Sequence, residues 1–277
     1  MSVLLFTLIL FAGAYTAGLV GSLTGLGGGV VIIPLLSVFL GVDIHYAIGA
    51  ALVSVIATSS GSAAAYVREG ITNMRIGMFL EIATTIGAVF GALLATVAPT
   101  QVIAVLFGGI LIFSAVNSLR KKKLHVLPES SPLAYKLKLY GSYPTADGTV
   151  AYGTRNVIGG FVMMVIAGVL SGLLGIGSGA LKVIAMDNIM RIPFKVSTTT
   201  SNFMMGVTAT ASAVVYLQRG YIQPGICMPV VIGVLLGALT GSRLLIRTPT
   251  EKLRYFFAVV ITLLAIQMVY NGVTGRI

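Results

Sequence analysis

Apolar residues in this chain come in blocks, and charge is confined to the gaps between them. Met1–Leu40 carries no charged side chain at all. Three further apolar blocks follow at about 46–67, 76–97 and 101–119. A second series then opens at 156–190 and continues at about 196–217, 226–246 and 253–273. A helix that crosses the hydrocarbon core of a bilayer needs ~20 predominantly apolar residues, so six of these blocks predict ordinary spanning helices. The two leading stretches are too long for that. Forty residues in one helix would run ~60 Å, twice the hydrocarbon thickness. Each is interrupted by glycines, Gly25–Gly29 and Gly175–Gly179, where a helix is least favoured. Two shorter limbs folded at the glycines fit better than a single crossing.

The two series are copies of each other. Shifted by 150 residues, Ala17–Gly29 lies over Ala167–Gly179 with six of thirteen positions identical. The same offset pairs Tyr66 with Tyr216, Gly70 with Gly220, and Pro99-Thr100 with Pro249-Thr250. A four-residue slip also aligns Ile86-Gly87 and Gly91-Ala92-Leu93 with Ile232-Gly233 and Gly237-Ala238-Leu239. The chain therefore divides into a first transmembrane repeat (1–119), a basic linker (120–154) and a second transmembrane repeat (155–277). Two repeated halves joined by a polar linker are a common plan for secondary transporters.

Charge adds the orientation. Suppose each leading stretch enters the membrane and returns. The loops near 68–75, 120–155, 191–195 and 243–254 then share one side and hold fifteen of the eighteen lysines and arginines. Single crossings would split these residues eleven to six. The excess of basic residues in cytoplasmic loops favours the first arrangement. It places the linker in the cytoplasm of a multi-pass plasma (inner) membrane protein. An odd number of crossings after each hairpin also turns the second half over. The expected fold is thus all-α integral membrane, with two inverted-topology repeats, each a glycine-broken hairpin followed by three transmembrane helices.

Composition agrees: 57% of the 277 residues are apolar and 9% charged, against about 25% charged in soluble domains. The 34 glycines suit close helix approach in lipid. With no tryptophan, tyrosine must supply any interfacial aromatic belt. The net charge of +11 does not indicate nucleic acid, because the basic residues flank apolar runs instead of forming one face. Val3–Phe11 followed by Ala12–Ala14 resembles a signal peptide but lacks a basic n-region. The stretch beginning at Ala17 recurs in the second half, so this segment reads as part of the fold.

Broken membrane helices are where binding chemistry concentrates. Backbone freed at a break must face protein or a watery cavity. A helix restarting there points unpaired N–H groups and its positive dipole end into that cavity, which suits a small anion. The candidates are Gly25, Gly27, Gly28 and Gly29 with Gly175, Gly177, Ser178 and Gly179. Tight helix packing is the competing use of the same glycines. Lys182 lies three residues past Gly179 with no acidic residue within four positions, so it meets an anion or snorkels to the interface. Thr198, Ser201 and Asn202 share a helical face by their spacing, and Ser54 and Thr58 keep i, i+4 spacing in the first half. Their polar atoms suit an oxyanion, or else bonds to neighbouring helices and i−4 carbonyls. Glu81 and Asp187, the acidic residues nearest to apolar sequence, are the candidate proton carriers, or else are solvated at the interface near the segment ends. A coupling ion, proton or sodium, is compatible with this plan, and so is a homodimer.

No enzyme chemistry emerges. His45 and His125 fall outside the predicted spans with no metal-ligand spacing around them, and no carboxylate pair reaches the membrane interior. No cofactor is implied. The single cysteine, Cys227, allows no internal disulfide and suits packing.

The Gly25-Leu26-Gly27-Gly28-Gly29 run, the apolar limb with Pro34 that follows it, and the echo Gly175-Ile176-Gly177-Ser178-Gly179 resemble the TauE/SafE family. So do the chain length and the duplicated four-segment halves. Ser178 departs from the first copy, which has Gly28. The resemblance covers the chain apart from 120–154. It implies a bacterial or archaeal permease moving small sulfur-containing anions such as sulfite or organosulfonates, without fixing substrate or direction. A passive anion channel, or a transporter of a different small organic anion, would use the same broken helices.

Overall fold

The computed structural model describes residues 3–24, 27–119, 130–145, 148–245 and 250–274. The first half opens with α1 (Val3–Thr24) and α2 (Gly29–Pro34), which passes directly into a wide π-type turn at Leu35–Phe39. Helices α3 (Ile44–Arg68), α4 (Met74–Ala95) and α5 (Thr100–Leu119) complete it. The linker contributes a short helix, α6 (Pro132–Lys136), and an antiparallel pair, β1 (Gly141–Thr145) and β2 (Gly148–Tyr152). The second half repeats the series as α7 (Val157–Leu174), α8 (Gly179–Ile184), a π turn at Ala185–Ile189, α9 (Phe194–Gln218), α10 (Pro224–Leu245) and α11 (Thr250–Thr274). The bounds of α2 and α8, of α3 and α9, and of α4 and α10 each differ by the 150 residues of the sequence repeat.

Both leading stretches are broken at the glycines. Gly27 (φ +78°), Gly175 (φ +68°) and Gly177 (φ +68°) adopt left-handed backbone, which costs an L side chain roughly 1–2 kcal/mol per residue. The chain then doubles back. The Arg155 N–H donates to the Met190 carbonyl at 3.0 Å, so 156–190 begins and ends at one end of the molecule. In the first copy Gly13 abuts the Leu35 side chain. Each returning limb closes with a five-residue turn, Leu40 N–H to Leu35 O at 3.2 Å and Met190 N–H to Ala185 O at 3.0 Å. Proline does not cause it, because Ile184 occupies the place of Pro34.

Helices pair across the halves: α1 packs on α10, α7 on α4, α3 on α9 and α5 on α11. Small residues set the first two crossings. Gly237 lies against the Tyr15 carbonyl and Gly87 against the Val165 carbonyl, while Gly241 meets Leu19 and Gly91 meets Val169. All four contacts obey the 150-residue offset. The four-residue slip in this region is therefore a coincidence of composition: Gly87 corresponds to Gly237, not Gly233. Such approaches matter in lipid, where helix association depends on dispersion and hydrogen bonds more than on the hydrophobic effect.

Two sets of contacts mark the ends of the bundle. At one end Asp43 accepts from the His45 backbone and ring, the ring also reaches the Ala95 carbonyl at 3.2 Å, and Tyr221 stacks on it. At the other end Asn73 caps α4 through the Ile76 N–H, takes a bond from its own N–H to Thr200 Oγ1 at 3.1 Å, and donates through Nδ2 to Tyr152 at 2.8 Å. The linker is more structured than its polar sequence suggested. Ala134, Leu139, Tyr143 and Tyr152 are buried with Ile76, Leu80, Val157 and Met190, so it packs onto the ends of α4 and α7. Burial pushes the Tyr152 phenol above its ordinary value, and the Asn73 hydrogen bond draws it partly back.

Among the described residues, α1, α3, α4, α7 and α10 are long and apolar enough to cross a membrane. The protein is a helical, multi-pass membrane protein.

Candidate functional site

The two glycine breaks meet at the centre of the molecule. A Cβ on Gly29 would stand 2.9 Å from the Gly175 carbonyl oxygen and 3.0 Å from Val55 Cγ2. Gly27 and Gly177 both lie against Val55 of α3 and Met205 of α9, and those two residues are themselves related by the 150-residue offset. Glycine is needed at this crossing for two reasons: positive φ in the breaks, and no room for a side chain where one break touches the other.

Polar groups surround the crossing. Ser54 Oγ is 2.8 Å and Thr58 Oγ1 3.2 Å from where a Gly28 Cβ would sit. Thr58 spends its hydroxyl on the Ser54 carbonyl, and Ser201 donates to the Gly179 carbonyl at 3.1 Å. Ser59 bonds the Asn202 carbonyl, tying α3 to α9. Among the described residues, Ser54 Oγ, Ser178 Oγ and Asn202 Nδ2 are buried with no hydrogen bond. Unsatisfied buried polar atoms cost about 1–3 kcal/mol each, so three around one crossing call for an explanation.

Several candidates from the sequence converge here and others do not. Gly27, Gly28, Gly29, Gly175, Gly177, Ser178 and Gly179 form the crossing, with Ser54, Thr58, Ser201 and Asn202 around it. Gly25 lies outside the described residues. Thr198 is half-exposed and bonds the Phe194 carbonyl of its own helix. Ser201 and Asn202, on the same helical face, are buried at the crossing, and Thr200 is buried too.

Lys182 does not reach the membrane interface. It is fully buried, so it does not snorkel, and a carboxylate is already beside it. Its ammonium donates to Thr208 Oγ1, which donates to Glu81 Oε1, and Glu81 Oε2 stands 3.8 Å from Nζ. Glu81 is 7% exposed, which replaces the interfacial reading of this residue. Sequence spacing could not find the pair, because Glu81 is 101 positions upstream. One signal was available: Thr208 stands 150 residues after Thr58. The 150-residue counterparts of Lys182 and Glu81 are Ile32 and Val231, so the charged cluster joins the two halves at one place and has no symmetry-related copy. Among the described residues no group of three His, Cys, Asp or Glu converges as metal ligands do.

Comparison with known proteins places this architecture. The Sulfite exporter TauE/SafE family matches residues 10–268. Probable membrane transporter protein YunE of Bacillus subtilis is 28% identical over 264 residues, covering 93% of this chain and 95% of that protein. YdhB of the same organism, also called a probable membrane transporter protein, is 28% identical over 83% of this chain and 86% of its own length. A probable membrane transporter protein of Sinorhizobium sp, ORF9, is 26% identical over 94% of this chain and 90% of its own length. No solved structure matches the chain at a significant level. With matched sequence running from the first hairpin to the last helix, the chain belongs to the TauE/SafE family of membrane transporters.

Proposed function

We propose that this protein is a secondary permease that moves small sulfur-containing oxyanions, such as sulfite or organosulfonates, by alternating access. The observation that carries the reading is the contact between Gly29 and Gly175, which brings two restarting helices together among Ser54, Ser178 and Asn202, all with unmade hydrogen bonds. Backbone amides and hydroxyls of this kind suit a compact oxyanion better than an apolar or cationic solute. The printed family description supports a sulfur oxyanion as the cargo. Midplane sites between repeated broken helices are the usual place for alternating access to turn.

The inverted arrangement of the halves is part of this reading. Asp43 and its 150-residue counterpart Pro193 fall near opposite ends of the bundle. His45 contacts Ala95 and Tyr221, while Met190 contacts Arg155 beside the linker. The sequence assigns fifteen of the eighteen basic residues to the linker side, which favours a cytoplasmic linker under the positive-inside rule, in a bacterial inner membrane.

Uptake of labelled sulfite, sulfonates, thiosulfate and sulfate into proteoliposomes tests the function. Saturable flux that exchanges across the membrane is the expected result. If no member of the set moves or competes, the sulfur-anion reading fails. Ohmic single-channel current would replace the carrier with a pore.

A further inference from the structure

The cluster of Glu81, Thr208 and Lys182 is a chain of proton-carrying groups beside the glycine breaks. Lys182 Nζ donates to Thr208 Oγ1, Thr208 donates to Glu81 Oε1, and Glu81 Oε2 takes no hydrogen bond among the described residues. The three side chains come from α8, α9 and α4. Their position links them to the breaks. Thr208 is one turn along α9 from Met205, which touches Gly27 and Gly177. The Lys182 backbone N–H donates to the carbonyl of Ser178 at 3.0 Å, and the buried hydroxyl of Ser178 is unbonded among the described residues. Lys182 thus connects the carboxylate to the start of the helix that leaves the crossing.

We propose that Glu81 is the proton-binding site of the transporter: a proton taken up on Oε2 frees the Lys182 ammonium, which then holds the oxyanion. The inference rests on the anion-transport reading above. An ionised Glu81 and a bound oxyanion compete for one buried ammonium, and a carboxylate left unpaired in a dry interior is costly. Protonation removes that cost. The proton comes from the aqueous phase on one side as an O–H bond forms, and returns to water on the other side when the anion leaves and Glu81 pairs with Lys182 again. By linkage, anion binding must raise the proton affinity of Glu81 by the same factor that protonation raises anion affinity.

Glu81 and Lys182 are the two ionisable groups of the cluster. Facing it are Lys182 from α8, Thr208 from α9, and Thr84 and Thr85 from its own helix. Helix α7, packed on α4, carries no titratable side chain. Lys195 of α9 is thirteen residues, about 20 Å, from Thr208, and Tyr216 is eight residues, about 12 Å, beyond it. Asp187 lies past the end of α8 and is partly exposed. The ammonium 3.8 Å from the carboxylate also disfavours a sodium ion there.

The test uses purified full-length protein and ethanesulfonate, a strong-acid anion that does not itself titrate near neutrality. Binding is measured across the neutral pH range, with proton uptake followed by a pH dye in weak buffer. The wild type should bind more tightly as pH falls, by up to about tenfold per unit, and take up protons on binding. Glu81→Gln should bind at the strength of the wild-type acid limb, without pH dependence or proton uptake. Glu81→Asp should restore both, and exposed Glu69→Gln should behave as wild type. If Glu81→Gln keeps the wild-type pH slope and proton uptake, the proposal is overturned. Infrared spectra separate the remaining failure. A carboxylic-acid band that titrates in wild type and vanishes in Glu81→Gln should appear with or without anion. Its absence overturns the proton site whatever binds. The band present with no binding of ethanesulfonate overturns the hand-over of Lys182 together with the anion reading.

Discussion

Gly29 packs directly against the carbonyl oxygen of Gly175, so the bend of one repeat is the wall of the other. The requirement for glycine here is therefore steric as well as conformational.

Alanine at Gly177 should cost more stability than alanine at Gly70. Both have φ +68°, and the strain alone is about 1–2 kcal/mol. At Gly70 nothing lies within 4 Å of the new Cβ, whereas at Gly177 it meets Val55 Cγ1 at 2.9 Å. Thermal unfolding in detergent should show a larger drop for Gly177→Ala, together with loss of transport. Equal drops would mean the crossing relaxes freely.

The helix crossings give a matched pair of predictions. Gly87→Ala and Gly237→Ala each push a methyl into a carbonyl on the facing helix, Val165 and Tyr15 respectively. Overpacking of this kind costs typically 1–3 kcal/mol, and the two variants should be similar. Gly109→Ala meets nothing within 4 Å and should be neutral or stabilising by up to about 1 kcal/mol, because alanine is the better helix former. Unfolding curves of the three variants decide it.

Removing one partner of the buried ion pair should be worse than removing both. Lys182→Met alone leaves Glu81 uncompensated, at a cost of about 3–5 kcal/mol. Adding Glu81→Leu should recover most of that loss. Detergent stability of the single and double variants is the readout, and a double variant no better than the single would show the pair does not interact.

The linker latch can be read by pH. Asn73→Ala removes the α4 cap, worth about 1 kcal/mol, and the bond to the Tyr152 phenol. Without that donor the phenol should titrate still higher by ultraviolet absorbance. Because burial raises the Tyr152 value above 10.0, docking of the strand pair is stabilised in full below pH 10. That stability is lost as pH rises through the raised value. Hydrogen exchange of residues 141–145 and 148–152 should speed up there, and sooner in Asn73→Ala.

Gly70 and Gly220 report the topology. They are 150 residues apart and both exposed, and the inverted arrangement proposed above puts them at opposite ends of the bundle. In a Cys227→Ser background, Gly70→Cys and Gly220→Cys should react with an impermeant maleimide from opposite sides of the membrane. Labelling from one side would sink the inverted arrangement.

Sequence alone settled the membrane class, the duplication and the two breaks, because each depends on local properties. Hydrophobic run length decides whether a segment can span, and glycine decides where a helix gives way. The 150-residue offset even carried the bounds of α3 and α9. Three-dimensional packing decided the rest. Nothing near Lys182 in sequence announces Glu81, and only the packing of α4 beside α8 and α9 brings the charges together. Thr198 and Thr200 have similar chemistry, yet the set of α9 against its neighbours exposes one and buries the other. The linker reads as polar from end to end, but Tyr143, Tyr152 and Leu139 find cover on α4 and α7. Pairings between residues a hundred positions apart depend on how helices stack, and a one-dimensional pattern of apolar blocks carries no record of which block meets which.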